Sequence, residues 1–180
     1  MKKRIFQIAG IAALFIGISA FNISHKQEST AELKWYTDAK EAGRISEETG
    51  KPVFAFFTGS DWCGWCMKLQ RDVFAKQEFV SWAEKNVVLL ELDFPRRKKL
   101  PADLANQNRY FASLFGVRGY PTIWMYTTAS TTDTAGTEKF NISPLGSLGY
   151  PSKQEGVTPQ MVFLNKANAI LKKGGVAVKE

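Results

Sequence analysis

Ser60-Asp61-Trp62-Cys63-Gly64-Trp65-Cys66-Met67-Lys68-Leu69 contains both cysteines of the 180-residue chain. Directly before it runs Val53-Phe54-Ala55-Phe56-Phe57, a continuous apolar stretch between a proline and a glycine, as expected of a strand buried on both faces. Ser60, Asp61 and Gly64 mark a turn into a helix that continues through Met67, Leu69 and Val73 to about Phe74. Two thiols at i and i+3 then share one side of the helix's first turn, close enough to close a small disulfide ring.

That placement suits a reversible dithiol/disulfide couple, because unsatisfied helix N–H groups near Cys63 stabilise its thiolate while Cys66 stays the weaker acid. Lowering a thiol pKa from about 8.5 to about 7 raises its thiolate fraction at neutral pH from roughly 3% to about half. Falling intrinsic nucleophilicity returns roughly fivefold of that roughly fifteenfold gain, so the shift acts as much on leaving-group ability and redox poise as on attack. Three plainer readings compete. Zinc needs about four ligands, which one Cys-x-x-Cys pair and the lone His25 do not supply. A permanent structural disulfide gains least when it closes so short a loop. Packed, inert thiols fit poorly with the polar turn at the helix start.

At the N-terminus, Lys2-Lys3-Arg4 precedes an apolar stretch from Ile5 to Ala20, followed by a polar segment. Residues 1–24 read as a secretory signal or, if uncleaved, as an N-terminal anchor, and 25–34 as a linker. Either places the remainder outside the cytoplasm, periplasmic or secreted in a bacterium, where thiol exchange with disulfide proteins is available. The formal charge of +7 falls to about +4 without the three basic residues of that segment, too little to argue for nucleic acid. Arg96-Arg97-Lys98-Lys99, between Pro95 and Pro101, reads as a solvated loop, with an acidic partner or membrane surface as the other reading. A hydrophobic content of 44% with 13 Phe and 5 Trp supplies one core without structural disulfides.

Along the chain, Trp35 to Thr49 has a helical pattern that stops at Gly50. Further helices are expected over 78–86, 101–115 and from Pro159 to about Leu171, and strands over 87–92 and 122–126. Thr127 to Glu138 reads as a polar loop, 139–142 as a weak strand, 143–156 as irregular, and 173–180 as a flexible tail. This order gives an α/β domain over 35–172, a central mixed β-sheet flanked by helices.

Strand, Trp-Cys-x-x-Cys, helix, strand, helix, Val117-Arg118-Gly119-Tyr120-Pro121-Thr122, strand resembles the thioredoxin-like family, and more narrowly its secreted bacterial thiol:disulfide interchange proteins. The resemblance runs from about Trp35 to Leu171 and rests on two motifs in the right order. It implies that Cys63 is the exposed nucleophile, Cys66 the buried resolving thiol, and Pro121 a cis-proline facing the disulfide. Trp62, Gly64, Trp65 and Tyr120 would contact substrate, with the two tryptophans as an aromatic rim and Trp65 exposed. The redox group would be the protein's own dithiol, with no metal or organic cofactor. Partners would be protein thiols and disulfides, together with a membrane or thioredoxin-like redox donor.

Two departures stand out. The buried carboxylate common in the family six residues before the first cysteine is replaced by Phe57, and its usual lysine companion aligns with Leu89. Either Asp61 or a water substitutes, or resolution by Cys66 is slower. Trp65 occupies the place of the proline of ordinary thioredoxin and of the histidine of strong oxidases and isomerases, which argues against a strong oxidant; a reductase or isomerase is the reading preferred over an oxidase. A non-catalytic peptide-binding or chaperone module with a permanently oxidised Cys-x-x-Cys is the alternative.

Overall fold

The computed structural model describes residues 33–179 apart from 133, 135 and 137; the signal or anchor segment lies outside the described residues. In chain order the elements are β1 (Trp35–Tyr36), α1 (Ala39–Thr49), β2 (Val53–Thr58), α2 (Gly64–Leu69), a π-helical turn (Gln70–Phe74), α3 (Gln77–Asn86), β3 (Val88–Asp93), α4 (Ala102–Leu114), β4 (Thr122–Thr132), β5 (Glu138–Leu148) and α5 (Pro159–Lys173). The sheet order is β1-β3-β2-β4-β5. β1, β3 and β2 run parallel, β4 is antiparallel to β2, and β5 is antiparallel to β4. This is the mixed sheet with flanking helices expected from the sequence.

β2 lies at the centre with every residue buried, as its uninterrupted apolar run requires. Its side chains alternate between two core layers. Phe54 and Phe56 join Cys63, Cys66, Leu69, Phe74, Phe79 and Phe163 on one face. Val53, Ala55 and Phe57 join Leu90, Leu92, Phe111, Phe115 and Tyr126 on the other. Phe74 stacks on Phe79 at 4.6 Å and meets Phe56 edge-on at 5.0 Å, so aromatic packing anchors the far end of the cysteine helix. The cysteines therefore belong to the more aromatic of the two core layers.

Three expectations need correction. Trp35 and Tyr36 form an edge strand against Leu89 and Leu90 instead of beginning a helix. α1 starts only after Asp38, whose carboxylate accepts the N–H groups of Lys40 and Glu41. The threonine-rich segment is not a loop over its whole length: β4 runs to Thr132 and pairs with β5 in a ladder from Ile123–Leu148 to Thr132–Glu138. β-Branched threonines suit an exposed ladder, and polarity alone disguised it. The stretch expected to be irregular is strand to Leu148, with a shift in register between Met125 and Tyr126.

The C-terminal tail is also not free. Asn86 accepts the Lys179 N–H (2.7 Å) and donates to the Lys179 carbonyl (3.0 Å), while Val176 and Val178 pack against the core. The two valines supply a reason to dock that the glycines before them obscured.

Candidate functional site

β2 delivers the chain to Gly59, whose carbonyl accepts the N–H groups of Trp62 (3.2 Å) and Cys63 (2.8 Å) and so closes the turn. Cys63 stands at the N-cap of α2 in an extended conformation. Its carbonyl accepts from Cys66 and Met67, and its Sγ accepts the Cys66 N–H at 3.1 Å. The two cysteines are joined in a disulfide with Sγ atoms 2.05 Å apart. Cys63 is 5% exposed and Cys66 fully buried, so only the first sulfur offers a path to a partner, and a narrow one. The exposed nucleophile expected from the sequence is thus nearly covered in the disulfide form.

Two aromatic groups flank this turn. On one side Trp62 meets Tyr120 edge-on at 5.7 Å, Tyr120 packs on Phe94 at 5.2 Å, and the Trp62 indole N–H donates to the Phe94 carbonyl at 2.8 Å. The Tyr120–Pro121 peptide is cis. On the other side Trp65 is 58% exposed and leans against Tyr150, 5.1 Å between ring centres. Tyr150 is held in turn by its hydroxyl, which donates to Asp72 (2.7 Å) and accepts from Lys68 (2.5 Å). Lys68 also pairs with Asp72 one turn along the helix. Gly64 is exposed, and a Cβ there would meet nothing within 4 Å. Trp62, Tyr120 and the turn thus come together, while Trp65 belongs to a separate cluster.

Phe57 is fully buried and belongs to the core layer that does not contain the cysteines. Opposite it in the parallel register stands Leu92; Leu89 pairs with Phe54 instead. Both places hold hydrocarbon, so neither supplies a proton acceptor. Asp61 is also engaged elsewhere: its carboxylate accepts the backbone N–H groups of Arg96, Arg97 and Lys98, which hold its pKa below the usual value. A carboxylate stabilised in this way is a poor base. Glu91 on β3 is shifted the other way, raised by burial and then by the Asp93 charge. It pairs with Phe56 and lines a small cavity of about 220 Å³ with Trp35, Gln70 and Phe74.

Sequence reasoning did not single out Asp93, Phe94 or Tyr150, and it read Ser60 only as part of the turn and Arg96 only as part of the basic run. Asp93 accepts from the Ser60 N–H (2.8 Å) and hydroxyl (2.6 Å), tying the end of β3 to the turn before Cys63. An acidic residue closing an apolar strand marks Asp93 as needing a partner, without saying which. Among the described residues no three His, Cys, Asp or Glu side chains are placed to hold a metal, and no helix is long and apolar enough to cross a membrane.

The profile of the family described as Thioredoxin-like matches residues 34–128. A disulfide bond reductase, DsbH, of Chlamydia pneumoniae is 36% identical over 93 residues, 52% of this chain and 55% of that protein. The thioredoxin-related protein DsbJ of the same organism is 26% identical over 116 residues, 64% of this chain and 33% of that protein. The chain thus spans about half or less of the length of these curated relatives. A solved structure titled DsbH Oxidoreductase superposes with a TM-score of 0.61 at 28% identity, covering 79% of this chain and 86% of that one.

Proposed function

The chain belongs to the thioredoxin-like family, and from that membership we propose that it is an extracytoplasmic thiol:disulfide oxidoreductase working as a reductase or isomerase. The observation that carries the reading is the Cys63–Cys66 disulfide at a helix start, with the Cys66 N–H aimed at Cys63 Sγ. On reduction, that N–H and the helix start stabilise the Cys63 thiolate. Cys63 then attacks one sulfur of a substrate disulfide, and the other substrate sulfur leaves as a thiolate. Cys66, deprotonated, attacks Cys63 Sγ, closes the Cys63–Cys66 bond and releases the second substrate sulfur. The substrate gains two electrons and the protein loses them, so a dithiol or membrane electron carrier outside the cytoplasm must reduce it again. In isomerisation the released thiolate attacks another disulfide of the substrate, and a substrate thiolate instead of Cys66 displaces Cys63, which leaves as its thiolate with no net change of oxidation state. No metal or organic cofactor enters these steps.

Pro121, Tyr120, Trp62, Gly64 and Trp65 are assigned to the substrate, as the walls along which an extended chain would lie. Against an oxidase role stands Trp65, which puts an indole where a histidine would stabilise the reduced form. The relative named as a disulfide bond reductase supports the same direction. The location outside the cytoplasm rests on the Lys2-Lys3-Arg4 segment and its apolar continuation.

The test is the reduction potential of the couple in glutathione or dithiothreitol buffers. A value near about −270 mV supports a reductase, and one of about −120 to −180 mV moves it to the oxidising side. A bond resisting reduction well below about −300 mV would make the disulfide structural and the protein a binding module. Cys66→Ser should trap substrates on Cys63, and Cys63→Ser should trap none.

A further inference from the structure

The run Arg96-Arg97-Lys98-Lys99 is left unused by the disulfide chemistry, yet it is fastened beside Cys63 by three separate links. Asp61 receives the N–H groups of Arg96 (3.0 Å), Arg97 (2.7 Å) and Lys98 (3.3 Å). Asp93, at the start of the same loop, holds Ser60. Trp62, the residue before Cys63, donates to the Phe94 carbonyl and carries the Arg96 guanidinium over its ring, 3.8 Å from the centre. A solvated loop needs none of this. All four basic residues remain exposed, so the fastening orders the backbone and leaves the charges facing water.

Next to Arg96 opens a cleft of about 420 Å³ lined by Arg96, Lys98, Lys99 and Arg109, with Asp93 as its one carboxylate. Asp93 is already committed to Ser60 and lies 3.6 Å from the Lys98 ammonium. Asp61 is committed to backbone amides. Four cations line one concavity against the single carboxylate of Asp93, so the lining carries net positive charge that an anionic chain would neutralise. The cleft is concave and shares Arg96 with the Trp62 wall, which suits a side chain of an extended polypeptide better than a flat lipid surface.

We propose that this cleft takes acidic side chains near the target cysteine of a substrate chain, so that the protein exchanges disulfides preferentially with acidic segments. The inference rests on the thiol–disulfide reading above and names its substrate class. The substrate acids would contact Lys99 and Arg109 while the target sulfur reaches Cys63.

The experiment uses the reduced protein and peptides of one sequence with Glu, Gln or Lys around a cysteine held as a 2-pyridyl disulfide. Cys63 thiolate attacks the peptide sulfur, pyridine-2-thione leaves and is read by absorbance, and Cys66 releases the peptide thiol. The Glu peptide should react about tenfold faster than the Lys peptide at low ionic strength, with the ratio falling toward one in high salt. In a Lys99→Glu, Arg109→Glu double variant the ratio should collapse or invert; comparing two peptides on one protein cancels any general loss of reactivity. Equal rates for the wild-type protein would overturn the cleft's role and leave the exchange chemistry standing. Equal rates together with co-sedimentation on phosphatidylglycerol vesicles would reassign the cations to a membrane. No thione from any peptide would overturn both this inference and the reading beneath it.

Discussion

Gly59 and Trp62 are packed so closely that a Cβ on the glycine would lie 2.4 Å from the indole Cε2. The indole cannot simply retreat, because its N–H is bonded to Phe94 and Arg96 covers its face. Glycine is needed here for space, since its backbone is not in the left-handed region. Gly59→Ala should therefore expel Trp62, red-shift tryptophan emission and cost about 1–3 kcal/mol in denaturant unfolding. Unchanged emission with unchanged stability would mean that the indole is not seated against the turn.

A second consequence concerns the chain's end. Asn86 is buried and spends its side chain on the Trp82 carbonyl and on both backbone groups of Lys179. Asn86→Ala removes these three bonds, two of them part-buried, so the protein should lose about 2 kcal/mol. Hydrogen exchange at Val178 and Lys179 should accelerate in the variant. Protection equal to that of the wild type would show that the tail is held by the valines alone.

Among the described residues, Thr58 Oγ1, fully buried at the end of β2, is a side-chain polar atom left with no hydrogen-bond partner. Such a hydroxyl carries its desolvation cost without return. Thr58→Val should raise stability by about 1 kcal/mol. Destabilisation of similar size would reveal that the hydroxyl finds a partner in the folded protein.

These sites differ in how far the sequence disclosed them. Cys63 and Cys66 announce themselves because the chain has no other cysteine, and β2 because five apolar residues in a row fit little but a central strand. Trp35 misled because its helical spacing continues into α1, while the contacts that make it a strand come from Leu89, Phe54, Phe56 and Phe74, far away in the chain. Thr127 to Thr132 hid a ladder because exposed strands carry no apolar alternation. The links from Asp61 to 96–98 and from Asp93 to Ser60 join residues more than thirty apart, and local pattern has no access to such pairs.

The Lys68–Asp72–Tyr150 cluster makes the support of Trp65 dependent on pH. The Lys68 ammonium and then the Tyr150 hydroxyl hold the Asp72 carboxyl well below its usual range, and the bonds of Lys68 to Asp72 and then to Tyr150 raise the Lys68 pKa. A depressed carboxylate contributes stability that is present above its unfolded pKa of about 3.9 and is lost as pH falls through the folded value. A raised lysine contributes stability that is present below about 10.4 and is lost as pH rises through its folded value. The cluster is therefore intact across neutral pH and weakens at both ends. Thermal unfolding of the wild type at low salt should fall more steeply in acid than that of Asp72→Asn, with the two curves converging below about pH 4. Trp65 emission should move with the wild-type curve, because its ring rests on Tyr150. Parallel unfolding curves across the acid range would mean that Asp72 titrates alike in the folded and unfolded chain and that the cluster does not hold Tyr150.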